Sequence, residues 1–521
     1  RTGRRKGTGM KPIRLVSGFL TVGVWTLVSR LLGFARDILI AAFLGTGPVA
    51  EAFLVAFALP NMFRRFFAEG AFNMAFVPMF SKKLEAGEDA EDFARDAFAG
   101  LAAVLIVFSV IAILAMPWLV LAMASGFAGD ERFDLAVGFG RIAFPYILFI
   151  SLAALLSGVL NAAGRFMAAA AAPVLLNVLF ITAMLLATKA GWPVGDTLAW
   201  TVPIAGLAQL ALVWQAAKRA GFNLKPRRPR MTPELKRLAL IAAPAAMAGG
   251  VVQINLLVGR QVASFYEGAV AWLSYADRLY QLPLGVVGIA VGVVLLPDLS
   301  RRLRAGDTEG GRNAFNRAAE ISLALTVPAA VALCVIPMPL VSVLFQRGAF
   351  GPEDTAATAL AVAVYGLGLP GFVLQKALQP LFFAREDTRR PFYFALASLV
   401  VNAGIAIGLM PAFGFIAAAI GTTVSGWASV ALLWYASRRM GVAATLDRRF
   451  RTRFGRILIA SALMGALLWV AALALAPFLD LPTLRYGALA VLVGIGLIGY
   501  FGIGQLVGAF QMADIRAALR R

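Results

Sequence analysis

The chain is a succession of apolar runs of about 20 residues separated by clusters of charge, and a helix needs a run of that length to cross roughly 30 Å of hydrocarbon. Cutting the 521 residues at the charge clusters gives about fourteen such segments, near 15–44, 50–80, 97–121, 136–160, 167–188, 195–217, 238–265, 269–298, 318–345, 355–383, 391–412, 414–437, 456–478 and 483–509. Lipid offers no partner to an exposed backbone amide, so the expected fold class is an all-α polytopic membrane protein. Composition agrees: 60% of the residues are hydrophobic and 14% charged, against about 25% charged in a soluble domain.

There is no His and one Cys, Cys334. Ser-His-Asp and Cys-His nucleophile systems, His metal sites and disulfides are therefore excluded, and binding or transport is favoured over covalent catalysis. Met10 opens a stretch that reads like a natural start, so residues 1–9 are given no role in the fold. The first apolar segment is too long for a removable signal and is retained as a span.

Lys and Arg should concentrate on alternate connections if this cut is right. Of the 48, 36 fall on the termini and every second connection: 1–14, 82–95, Arg165, 218–237, 301–317, 385–390, 438–456 and 516–521. The opposite connections hold Arg132, Lys189, Arg347 and Arg485. Both termini are thereby predicted to be cytoplasmic. Eight cations remain at membrane depth: Arg30, Arg36, Arg64, Arg65, Arg141, Arg260, Arg278 and Lys376. Each costs roughly 2.5–3.5 kcal/mol there and should face a polar cavity or a partner.

Shifting the chain against itself by 219 residues aligns Phe53 with Trp272, Pro78 with Pro297, Ser81 with Ser300, Lys82 with Arg301 and Tyr146 with Tyr365. Small slips bring Pro117 to Pro337, Arg165 to Arg385 and Pro173 to Pro391. An offset covering six spans leaves both copies starting on the same side, which predicts a parallel pseudo-repeat. The expected organisation is a basic N-terminus 1–14, an N-lobe 15–217, a basic linker 218–237, a C-lobe 238–437, a basic loop 438–455, a final helix pair 456–509 and a C-terminus 510–521.

The polar residues concentrate in the first two spans of each half. SRLLGFARD carries Ser29, Arg30, Arg36 and Asp37; seven-residue spacing puts Arg30 with Asp37 and Ser29 with Arg36 on shared faces. The next segment holds Glu51, Pro60, Asn61, Arg64, Arg65, Glu69 and Gly70, and Pro60 predicts a bend, tolerated at membrane depth where it lines a cavity. Arg64 and Glu69 could instead neutralise each other. The second half supplies Gln253, Asn255 and Arg260, then Asp277, Arg278 and Gln281. For Asn177 and Asn402, helix–helix hydrogen bonding is the default reading. Arginines from both lobes are expected to converge, and such a cluster suits a phosphate or diphosphate because guanidinium offers paired donors and keeps its charge when desolvated.

The blocks SRLLGFARD, AFLVAFALPNMFRRFFAEGAFNMAFVPMFSK, YADRLYQLPLGVVGIAVGVVLLPDLS and LFQRGAF together resemble the MurJ (MviN) family of lipid II flippases. The resemblance implies the multidrug/oligosaccharidyl-lipid/polysaccharide exporter fold: fourteen helices, two six-helix lobes and a final pair beside a lipid groove. It also implies a bacterial inner-membrane location and a role in peptidoglycan synthesis. Carried over residue by residue, it implies substrate contacts at Arg30, Arg36, Arg64, Arg278 and Asn61. Arg36, Arg64 and Arg278 are then expected to hold the diphosphate, Arg30 to shape the cavity potential, and Glu51 to pair with an arginine when substrate is absent. Ser29, Asp37, Arg65, Glu69, Asp277, Gln281 and Arg260 are secondary candidates. Three positions depart from the family pattern: Glu51 where Asp is frequent, Ala58 where some relatives carry Lys, and Gln281 where a Glu follows the DRL triplet.

The implied partners are lipid II, membrane lipids and possible cell-wall synthesis proteins, with no nucleic acid, and the chain is expected to act as a monomer. No cofactor is expected; coupling to the membrane potential or to a monovalent ion stays open. Three rival readings also stay open: a flippase for another polyprenyl-diphosphate glycolipid, a cation-coupled drug antiporter, and a membrane-embedded transferase.

Overall fold

A computed structural model of the chain describes residues 12–65, 72–289, 296–383, 385 and 387–511. Among the described residues every regular element is helical and none is a strand. Two compact units emerge. The first comprises Arg1–Leu44, Pro48–Met123 and Phe127–Gln253; the second comprises Gly45–Gly47, Ala124–Gly126 and Ile254–Arg521.

The first unit holds α1 (Pro12–Leu44), α2 (Pro48–Arg64), α3 (Asn73–Ala86), α4 (Ala90–Leu114), most of α5 (Met116–Ala124), α6 (Glu131–Ala143), α7 (Tyr146–Ala162), α8 (Met167–Ala190), α9 (Val194–Arg219) and the first part of α10 (Pro233–Ser264). The second holds the rest of α10, α11 (Ala269–Ile289), α12 (Leu296–Arg304), α13 (Thr308–Val335), α14 (Pro337–Phe345), α15 (Pro352–Phe383), α16 (Arg389–Phe413), α17 (Ile416–Ser437), α18 (Arg448–Leu479) and α19 (Arg485–Val507).

Ten helices among the described residues are long and apolar enough to cross a membrane. They match the third to sixth and ninth to fourteenth predicted segments. The first two segments of each half correspond to α1, to α2 with α3, to α10 and to α11, and they carry Arg30, Arg36, Arg64, Arg260 and Arg278.

The neighbour pattern of the first unit recurs in the second. In the first, α2 packs on α6, α4 on α7, and α7 and α8 both on α9. In the second, α11 packs on α15, α13 on α15, and α15 and α16 both on α17. Glycine makes the tightest of these contacts possible, because transmembrane helices gain mainly from close backbone approach. A Cβ on Gly206 of α9 would come within 2.7 Å of the Tyr146 ring of α7, and one on Gly426 of α17 within 2.7 Å of Phe372 of α15.

The final pair belongs to the second unit. Met464 and Leu468 of α18 and Leu492 and Tyr500 of α19 share one apolar core with Ile336 and Val343, and the Tyr500 hydroxyl donates to Ala324 O of α13 at 2.5 Å. α18 begins at Arg448, inside the predicted basic loop, because Asp447 caps it by accepting from Phe450 N at 2.6 Å. Arg449 and Arg453 of its first turns pair with the buried Glu320 of α13, at 3.4 and 2.6 Å.

Substituting Gly206 by Leu should destabilise the protein by about 1–3 kcal/mol through overpacking against Tyr146. Thermal unfolding in detergent checks this: a lowered midpoint is expected, and an unchanged one would mean that α7 and α9 do not need the contact.

Candidate functional site

In the first unit the polar centre is built on α1. Arg36 and Asp37 are both buried, 6% and 7% exposed. The Arg36 guanidinium donates through Nε and Nη2 to Asp37 Oδ1 at 3.0 and 2.9 Å, and through Nη1 to Asn177 Oδ1 of α8 at 3.0 Å. The Asn177 amide in turn donates to Ser29 O at 2.9 Å, tying α8 to α1. Phe57 and Phe180 cover the guanidinium, with ring centroids 5.9 and 5.6 Å from its carbon. The guanidinium is thus neutralised and satisfied inside the protein, as burial of a charge requires. Arg30, six residues earlier, is exposed and makes no ion pair among the described residues.

On α2, Pro60 has no N–H to give the preceding turn, and the Asn61 side-chain amide donates to Phe57 O at 2.8 Å. Arg64, one turn further, ends the helix half-buried, and Arg65 is exposed. Glu69, the alternative partner for Arg64, lies outside the described residues. Glu51, 1% exposed in the first turn of α2, does pair with an arginine, and it is Arg132, at 3.2 Å. Arg132 is also held by Asp130, the N-cap of α6, at 2.7 Å, and stacks 4.4 Å from the Phe127 ring centroid. That hydrogen bond keeps the Asp130 carboxyl below its ordinary value.

In the second unit, Arg278 and Gln281 are exposed on α11 and Asp277 is half-exposed; the Gln281 amide donates to Asp277 Oδ2. Arg260 of α10 is half-buried. Asn402 of α16 donates to Asn255 Oδ1 of α10 at 2.8 Å, so asparagines tie the fifth span to the first in each half. Trp427, Val331, Leu374, Phe450 and Leu458 are among the side chains around an apolar cavity of ≈ 510 Å³ bounded by α13, α15, α17 and α18. Groups of His, Cys, Asp or Glu able to hold a metal ion are absent among the described residues.

Each unit therefore presents cations that it leaves at least partly exposed: Arg30 and Arg64 in the first and Arg278 in the second. Arg36 engages Asp37 and Asn177 through Nε, Nη1 and Nη2. Sequence reading missed Arg132 as the partner of Glu51; the available signal was Asp130, two residues before it, at a helix start. Asp37→Asn should cost about 3–5 kcal/mol by leaving the Arg36 charge buried and uncompensated. Thermal unfolding in detergent checks it, and a melt equal to the native chain's would contradict the buried pair.

The family model described as "Lipid II flippase MurJ" matches residues 40–481. A probable lipid II flippase MurJ from Rhizobium meliloti (strain 1021) is 47% identical over 517 residues, covering 97% of this chain and 96% of the relative. A lipid II flippase MurJ from Burkholderia cenocepacia is 38% identical over 439 residues, covering 82% and 85%. Among solved structures, a lipid II flippase MurJ in an inward closed conformation superposes with a TM-score of 0.78 at 24% identity, covering 94% of this chain and 98% of that one. An inward-facing multidrug resistance MATE family transporter of the MOP superfamily shares the fold alone, with a TM-score of 0.68 at 16% identity over 80% of this chain and 96% of that one. By family match and by identity along almost its whole length, the chain belongs to the MurJ family of lipid II flippases.

Proposed function

We propose that the chain moves lipid II from the cytoplasmic to the periplasmic leaflet of the bacterial inner membrane by alternating access, with both termini cytoplasmic and no bond made or broken. The substrate assignment follows from the relatives' names. The observation that carries the mechanism is the set of cations at membrane depth that their own units leave accessible: Arg30, Arg64 and Arg278. A diphosphate and a sugar-peptide headgroup cannot enter hydrocarbon, and charge-assisted hydrogen bonds from guanidinium replace the water that the diphosphate gives up.

In this reading Arg64 and Arg278 hold the diphosphate, and Arg30 sets the potential around it. Arg36 acts one step removed: pinned by Asp37 and Asn177, it keeps α1 seated on α8 and fixes where Arg30 stands. Glu51 balances Arg132. The apolar cavity beside α18 suits a stretch of polyprenyl chain, whose transfer out of water is favourable wherever apolar surface is offered. The rival antiporter reading would need accessible carboxylates more than arginines, and the transferase reading an acidic metal cluster.

Lipid II flipping in proteoliposomes tests the reading. Arg278→Ala should slow flipping roughly 10- to 100-fold, the cost of one charge-assisted hydrogen-bonding partner, with an unchanged melting midpoint. Arg36→Ala should lower both the rate and the midpoint. Native-like flipping by Arg278→Ala would remove the diphosphate clamp.

A further inference from the structure

The second unit carries an arginine pair that the transport reading does not use. Arg347 lies between α14 and α15, and Arg485 opens α19. Both belong to the connections poor in Lys and Arg, at the end of this unit opposite its basic loops. Their guanidinium carbons lie 5.5 and 5.1 Å from the centroid of one ring, that of Tyr486.

The partners they have are all neutral. Arg347 Nη2 donates to Val343 O and Leu344 O at 2.7 and 2.8 Å, capping the last turn of α14. Arg485 Nη1 donates to Gln346 O at 3.1 Å and Nη2 to the Tyr486 hydroxyl at 3.1 Å. Neither makes an ion pair among the described residues, and the Nε of each is buried without an acceptor there. A nearby carboxylate, Asp354, is occupied by Thr46, by the Trp272 indole N–H and by Gly351 N. Elsewhere in the chain, Arg132, Arg227, Arg230, Arg302 and Arg453 each meet an acid. Burial, with the charge of Arg485 adding to it, lowers the Arg347 pKa.

Two guanidinium groups sharing one aromatic ring and lacking a counter-charge form a cradle for an anion with several acceptor oxygens. The rim says where that anion comes from. Leu481, Leu484 and Tyr486 are 46%, 49% and 48% exposed around Arg485, an apolar and aromatic collar of the kind found at the headgroup level of a bilayer. We propose that Arg347, Arg485 and Tyr486 form a binding site for the phosphate group of a lipid headgroup in the leaflet at this end of the second unit. The site uses none of the residues of the transport reading, and it does not rest on that reading.

Native mass spectrometry of the full chain, titrated with phosphatidylglycerol, tests the proposal. Dioleoylglycerol serves as the phosphate-free lipid and inorganic phosphate as the free anion. Arg347→Gln/Arg485→Gln should weaken the tightest phosphatidylglycerol binding about tenfold or more, Arg485→Lys should retain most of it, and dioleoylglycerol binding should be the same in all three. Arg227→Gln/Arg230→Gln, on a different basic surface, should leave the tightest site intact. Equal phosphatidylglycerol binding by the native chain and the Arg347/Arg485 variant would overturn the site. Inorganic phosphate that displaces the lipid completely with the same arginine dependence would overturn the lipid assignment. Melting curves establish that each variant is folded; if the double variant is not, single Arg485→Gln against Arg485→Lys decides by the same comparison.

Discussion

A guanidinium group at membrane depth has to be answered by something, and this requirement organises the rest of the chain. Two answers are visible. Arg36 is answered from within, by Asp37, by Asn177 and by two phenyl rings, and becomes a joint between α1 and α8. Arg30 and Arg278 are exposed on their own units, where the proposed reading has them meet the substrate's phosphates.

The third to sixth helices of each half, and the final pair, are apolar enough to cross a membrane by composition alone. The first two of each half carry the candidate residues. Asparagine ties that polar part to the apolar part in both halves: Asn177 joins α8 to α1, and Asn402 joins α16 to α10.

The all-helical membrane class was legible in the sequence, because span length reports directly on hydrocarbon thickness, and ten of the apolar segments are helices long enough to cross it. The 219-residue offset pairs Tyr146, which opens α7, with Tyr365, in the middle of α15. The pairing of charges was not legible. Arg36 and Asp37 are adjacent and start about 100° apart around a helix, yet the long Arg36 side chain turns back onto its neighbour, held there by Asn177, 141 residues away. Glu51 meets Arg132, 81 residues away, through a contact that only the packing of α2 on α6 creates. α18 starts at Arg448, within the basic segment, where Glu320 on α13 supplies an acid to Arg449 and Arg453.

The account stands on cations of the two units acting on the same diphosphate. A double-mutant cycle on lipid II affinity, with Arg64→Ala, Arg278→Ala and both together in lipid nanodiscs, measures this most directly. Shared engagement predicts that the double variant loses clearly less than the sum of the single losses, a coupling above about 0.5 kcal/mol. Losses that add, or affinities that do not change, would contradict it.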